Sequence, residues 1–320
     1  MKTKYVFVCG LHRSGTSILA KHIAALSECT SFENTGAIMD EGQYLQNAYP
    51  PDVVFGGAGK FGSCPRAHLT ESSPLLTPSN VLRLQRSWER FWDANKEIRI
   101  EKTPGNLLMT RFLQAAFPNS YFIAIKRHPV AVSLATKKWT RISLHSLFEH
   151  WLHCHDLFDE DKKYLKNVYE VGYEDYVENS QHYLREIADF IGTEFTPSSV
   201  AETTSAHNRK YFARWAQMLE SSPVRFYYRS LLQHYEERVG EHGYSLVPPG
   251  ATRRIQVEKR ITQGFRFVPV LFVAADAYSG VREMIWRVRL WASRTAKQYC
   301  PASLLRLVCH YKATLTRRSA

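Results

Sequence analysis

The stretch Cys9-Gly-Leu-His-Arg-Ser-Gly-Thr-Ser17, CGLHRSGTS, decides the fold. It follows Tyr5-Val-Phe-Val-Cys9, a β-branched and aromatic run that reads as a buried strand, and leads into SILAKHIAAL, whose apolar residues recur at helical spacing. Strand, glycine-rich turn and helix in that order make a phosphate cradle, because the turn amides and the helix N-terminus direct partial positive charge at one point. A Walker A loop reads G-x-x-x-x-G-K-[ST]. Gly10 and Gly15 keep that spacing, but Thr16 stands where the lysine belongs, and the cation has moved back to Arg13. The amides of residues 13–17, Gly15 among them, and the hydroxyls of Ser14, Thr16 and Ser17 are expected to hold an anion.

Outward from this loop, strands alternate with helices. Residues 27–78 are rich in Gly, Pro, Ser and Asn and read as an irregular excursion of the kind that forms lids and substrate walls. The pattern then predicts a helix over 79–96, a strand over 97–102, and a helix after Pro104. A central strand over 120–127 follows, then a helix from Pro129, a long helix over 143–165 and a strand over 168–176. An amphipathic helix ends at Gly192, two more lie near 206–220 and 226–240, and HGYSLVPPG marks a boundary at 250. The expected architecture is α/β, a P-loop-type three-layer fold whose central parallel sheet is covered on both faces and binds ligands at its strand carboxyl ends. Residues 1–250 form this domain, and 251–320 a basic helical C-terminal extension.

The charge is distributed unevenly. The 320 residues, 44% apolar, carry a formal +12. Residues 251–320 hold 14 Lys+Arg against 3 Asp+Glu, whereas 1–250 hold 28 against 27, so the basic excess gives the main domain no reason to bind nucleic acid. In the extension Met284, Ile285 and Val288, with Leu290 or Trp291, share a helical face flanked by Arg282, Arg287 and Arg294. Such a helix suits an anionic membrane surface, or docks on the domain or a partner subunit. Six dispersed cysteines read as reduced thiols, the apolar run at the N-terminus is too short for a signal peptide, and no run of about 18 apolar residues occurs. The expected location is cytoplasmic, peripheral on the inner face of the membrane. His150, His153 and His155 do not share one helical face, so no metal site is expected. Trp139 and the aromatics of WERFW read as packing.

A nucleotide kinase needs a lysine at the phosphates and a carboxylate for magnesium after a later strand. Here YFIAI runs into Lys126 and Arg127 instead. A divergent P-loop kinase is one alternative, and an inactive membrane-associated binding protein on the same scaffold another. LHRSGTS resembles the 5′-phosphosulfate loop of sulfotransferases that use 3′-phosphoadenosine 5′-phosphosulfate (PAPS), and IAIKRHPVAVS resembles their 3′-phosphate-binding strand and helix. KTPGNLLMTRFLQAAFPNSYFIAIKR, YEDYVENSQHYLREIADFIG and EHGYSL resemble further family segments in family order, over most of residues 4–247.

The resemblance implies a PAPS-dependent sulfotransferase that moves a sulfuryl group to a hydroxyl on a glycan, lipid or small molecule, without a metal. It implies Arg13 at the bridging oxygen, Lys102 on the transferring group and Arg127 on the 3′-phosphate. The family's phosphate serine, eight residues after that arginine, is Ala135 here. Ser133 lies about 200° round the helix from that position and Thr136 about 100°, so either becomes the candidate, Ser133 first. The family's base is a glutamate about 20 residues beyond the loop arginine, which points to Glu33, with Glu41 as competitor.

Overall fold

The computed structural model describes residues 3–195, 206–248, 270, 272–282 and 284–285. Five parallel strands form one sheet in the order β2-β3-β1-β4-β5: β1 (Lys4–Cys9), β2 (Cys29–Ser31), β3 (Ile98–Lys102), β4 (Ser120–Lys126) and β5 (Val168–Gly172). Parallel strands need crossovers, and helices supply them: α1 (Thr16–Ala24), α2 (Pro78–Glu89), α3 (Thr110–Ala116), α4 (Pro129–Thr136) and α5 (Leu144–Asp161). After β5 come α6 (Tyr173–Glu178), α7 (Ser180–Ile191), α8 (Ala206–Glu220) and α9 (Arg225–Glu241).

Alternation along the strands divides the core into layers. Val6, Val8, Ile100, Ile123 and Ile125 face α1 and α7. Phe7 and Phe122 face Trp88 of α2 and Phe112 of α3, with Trp88 stacked on Phe117 at 5.5 Å between centroids. Beyond the strand ends, α4, α5, α8 and α9 close over a third cluster that includes Trp151, Trp215 and Tyr235. Register pairs Val8 with Lys102 and Cys9 with Ala124. The loops after β1, β3 and β4 therefore leave the same edge, where the chain's direction across the sheet reverses.

Four elements differ from the sequence reading. The excursion begins with a three-residue edge strand, β2, and continues as short 3₁₀ turns between 38 and 67. The helix after Pro104 is broken at Met109, whose φ of −133° separates a 3₁₀ turn from α3. The strand over 168–176 stops at Gly172, and Tyr173 opens α6 with Glu174 and Asp175 in its first turn, where acids suit the helix dipole. The helix expected over 79–96 begins at Pro78 and ends at Glu89, capped by Thr77, whose hydroxyl accepts from the Asn80 amide.

The extension is described only in part. Residues 270, 272–282 and 284–285 are helical, and Phe272, 4% exposed, packs into the cluster of Trp215 and Tyr235. Asp276 accepts from the Ser146 hydroxyl at 2.7 Å, while Val270, Val273, Met284 and Ile285 are exposed. Arg287, Val288, Leu290, Trp291, Arg294, Cys300, Cys309 and the boundary at 250 lie outside the described residues. Cys9, Cys29, Cys64 and Cys154 are free thiols. No helix among the described residues is long and apolar enough to cross a membrane.

Candidate active site

The turn between β1 and α1 is built to leave amides free. Gly15 sits at φ 102°, and a Cβ there would lie 2.5 Å from the Tyr173 ring, so no other residue fits. Arg13 also adopts a left-handed φ of 72°, a conformation that costs a non-glycine residue energy and directs the peptide outward. No side chain caps α1, and the first intrahelical bond runs from Leu19 to the Gly15 carbonyl at 3.1 Å. The amides of Thr16, Ser17 and Ile18 are thus left for a ligand. The Ser14 amide is spent on a turn to the Leu11 carbonyl (3.0 Å). Its hydroxyl is sealed at 0% exposure, with no hydrogen-bond partner among the described residues.

Arg13, Gly15, Thr16, Ser17 and Ile18 line a cavity of about 550 Å³ together with Glu41 and Arg127. Arg127 leaves the end of β4 only 6% exposed. Its Nε donates to Asn208 Oδ1 at 2.9 Å, its Nη1 to the Arg13 carbonyl at 2.7 Å, and its guanidinium carbon lies over the Tyr173 ring at 4.0 Å. These partners are neutral; Glu174, the nearby acid, bonds Asn208 instead. Burial works against the Arg127 charge and draws its pKa down. A buried cation without a carboxylate partner is costly, and an anionic ligand in the cavity relieves it.

The opposite wall carries an ion pair. Lys102 Nζ donates to Glu41 Oε1 at 3.2 Å and to the Met39 carbonyl at 3.0 Å, and Gln43 Nε2 donates to Glu41 Oε2 at 2.7 Å. Both charged groups are buried, Glu41 to 7% and Lys102 to 8% exposure. Lys102 faces a second cavity, of about 590 Å³, lined also by Lys21, Glu33 and Asn34. Ser17 and Met39 line both cavities, so the Lys102–Glu41 pair stands at their junction. The two glutamates are thereby separated: Glu41 faces the cavity of the loop and Arg127, and Glu33, exposed, faces the second.

On α4, Ser133 is 1% exposed and its hydroxyl has no partner among the described residues, whereas Thr136 turns its methyl toward Gly59, 3.2 Å from where a Cβ would stand. Trp139 does not pack. It is 59% exposed, lines the first cavity and lies 4.4 Å from the Arg13 guanidinium, because α4 ends at Thr136 and the following turn carries the indole out to the mouth. Cation–π contact keeps it there.

Several lining residues carry no motif in the sequence. Burial pushes the Tyr211 phenol up, but hydrogen bonds from Lys138 and Arg13 and the charges of Lys138 and Lys210 bring it below its ordinary value. His12 Nε2 lies 2.9 Å from Asp52 Oδ2, which ties the loop to the excursion. Asn208, Lys210 and Tyr211 arrive on α8, and only their distance from any glycine-rich motif hid them. His150 and His155 are buried and His153 is exposed, and no cluster of three potential metal ligands occurs among the described residues.

Residues 6–197 match the model of the sulfotransferase family. Among solved structures, a sulfotransferase from Alicyclobacillus acidocaldarius is 14% identical with a TM-score of 0.39, over 68% of this chain and 92% of that one. Sulfotransferase STF1 from Mycobacterium tuberculosis is 14% identical with a TM-score of 0.40, over 83% and 78%. The sulfotransferase domain of the Synechococcus PCC 7002 olefin synthase is 15% identical with a TM-score of 0.39, over 87% and 94%. Comparison with curated protein sequences gives no match.

Proposed function

We propose, from the premise that this chain belongs to the sulfotransferase family and is a sulfotransferase enzyme, that it moves the sulfuryl group of PAPS to a hydroxyl acceptor with Glu41 as base. The observation that carries the reading is a buried arginine without a carboxylate partner among the described residues, Arg127, lining one cavity with the uncapped start of α1 and with Glu41. The residues suit the donor as a substrate. Amides of Thr16, Ser17 and Ile18 face its 5′-phosphosulfate, and Arg127 offers its 3′-phosphate the guanidinium N–H groups that Asn208 and Arg13 leave free. The Ser133 hydroxyl, without a partner among the described residues, is suited to the same phosphate.

In the transfer, Glu41 takes the acceptor's hydroxyl proton as the new O–S bond forms. The S–O bond to the 5′-phosphate breaks, and its electron pair leaves on the phosphate oxygen. Arg13 and Lys102 counter the charge that grows there, so positioning and electrostatics do most of the work, as in phosphoryl transfer. The second cavity, with Glu33, Lys21 and Asn34 on its wall, takes the acceptor. The basic chain beyond 250 rests on an anionic membrane surface at the cytoplasmic side. The test is turnover of radiolabelled PAPS over hydroxyl acceptors, including cell-envelope extracts. Glu41→Gln is expected to lower kcat by about 10²–10⁴ while adenosine 3′,5′-bisphosphate still binds, and Glu33→Gln to leave most of kcat. The opposite ranking transfers the base to Glu33; full activity in both variants removes the mechanism.

A further inference from the structure

The residue that follows Glu41 is gripped from two sides. The Gly42 N–H donates to Glu101 Oε1 at 2.9 Å, and the Gly42 carbonyl accepts from the Trp88 indole at 2.9 Å. A side chain at that position would displace Glu101, since a Cβ would lie 2.5 Å from its carboxylate. Glu101 itself is 1% exposed and also accepts from the Thr103 hydroxyl at 2.6 Å and from the Asn106 amide.

Glu101 and Lys102 are neighbours at the end of β3 and leave it on opposite faces. One strand end therefore holds Glu41 twice, through its carboxylate and through the peptide after it. Burying a carboxylate this completely is costly, and an apolar side chain would fill the volume at less expense. No step of the transfer described above uses Glu101.

We propose that Glu101 is a positioning residue for sulfuryl transfer: by accepting the Gly42 N–H against the pull of Trp88, it fixes the Glu41 carboxylate beside Lys102 at the junction of the two cavities. This rests on the reading of Glu41 as base. Burial pushes Glu101 up to about 7, outweighing the hydrogen bonds from Thr103, Asn106 and Gly42 and the charge of Lys102. The other titratable groups that sense it are Cys9 on β1 and Tyr49 in the excursion, and burial pushes both away from the neutral range. Glu41, whose peptide carries the Gly42 N–H, and its partner Lys102 also stand beside Gly42, so a titration felt there is assigned to Glu101 by its loss in Glu101→Gln.

The experiment follows the Gly42 amide by NMR in ¹⁵N-glycine-labelled full-length protein from pH ~5 to ~9, beside kcat and the affinity for adenosine 3′,5′-bisphosphate. The Gly42 resonance is expected to titrate with a midpoint near the value above in the wild type and to stay flat in Glu101→Gln. Glu101→Ala is expected to lose at least about tenfold in kcat with nucleotide affinity unchanged, as for a displaced catalytic group. Glu101→Gln, which keeps an acceptor oxygen for the Gly42 N–H, recovers most of that loss. A Gly42 amide that does not titrate, one that titrates equally in Glu101→Gln, or wild-type kcat in Glu101→Ala overturns the proposal. The NMR readout is independent of turnover: a titrating Gly42 in a wild type that uses no PAPS supports the clamp and counts against the functional reading alone.

Discussion

Ser133 sets a test that separates folding from binding. Its hydroxyl is buried at 1% exposure without a partner among the described residues, so in the free protein it has lost its water and gained nothing from them. Ser133→Ala should leave the melting temperature unchanged or raise stability by about 1 kcal/mol, while affinity for adenosine 3′,5′-bisphosphate drops by roughly tenfold, the worth of a hydrogen bond to a charged group. Thr136→Val, isosteric where the methyl meets the excursion, should leave that affinity alone; calorimetric titration of both variants decides which residue meets the phosphate. Asn208→Ala removes the acceptor that orients Arg127 and should weaken nucleotide binding by about tenfold, again read by titration. Ser133 and Arg127 are visible in the sequence because they sit one turn from a strand-to-helix junction that the hydrophobic pattern marks. Asn208 is not, since α8 reaches Arg127 across 81 positions of chain and polar helix residues of its kind usually face solvent.

Among the elements, α4 depends on the protonation of its cap. His128 Nδ1 accepts from the Val130 amide at 3.2 Å, and the other ring nitrogen, 3.0 Å from the Ser245 carbonyl, is its donor, so the cap requires the neutral Nε2–H tautomer. Burial first, against the bond to Ser245 and with the charge of Arg127, lowers its pKa to about 4. A depressed histidine contributes stability that is fully present above its unfolded value of 6.5 and is lost as pH falls through the folded value. Glu101, raised to about 7, has the opposite sign: its contribution is present at low pH and is lost as pH rises through neutrality. Denaturant melts at descending pH should show His128→Asn, which keeps a capping acceptor, losing less stability than wild type between 6.5 and 4; parallel curves would mean that the cap is not the titrating element. The sequence announces α4 through Pro129 but says nothing of its cap, because histidine carries little capping preference and the neutral tautomer is imposed by burial. For the same reason β2 is hidden: Cys-Thr-Ser is too short to show a period, and pairing with β3 makes it a strand.

Across the whole molecule, the parallel sheet and its phosphate edge are legible because strand runs, glycines and helix periods all agree, while the junction of two cavities is not, because it is assembled by an excursion whose fold is set by contacts such as Gln43 to the Asp52 amide (2.8 Å) and His12 to Asp52. The basic extension shows the same divide within one segment. Its charge is obvious from composition, yet Phe272 sits against Tyr235 and Trp215 in the main cluster, and Asp276 bonds the N-terminal turn of α5. Removal of everything after 250 would therefore confound membrane affinity with loss of packing, since a buried Phe→Ala change alone costs about 3–5 kcal/mol. Deleting 286–320, which carries eight Lys+Arg and no Asp or Glu, keeps Phe272 and Asp276 with their contacts. That deletion should leave the melting temperature close to wild type and abolish sedimentation with vesicles rich in phosphatidylglycerol, whereas Phe272→Ala should lower the melting temperature and keep sedimentation. Salt should weaken the wild-type association steeply, because each surface cation contributes about 1 kcal/mol to an anionic bilayer only within a Debye length. Vesicle binding that persists without 286–320 would move the membrane contact to another part of the chain, and wild-type protein that does not sediment with such vesicles would remove the membrane from the account.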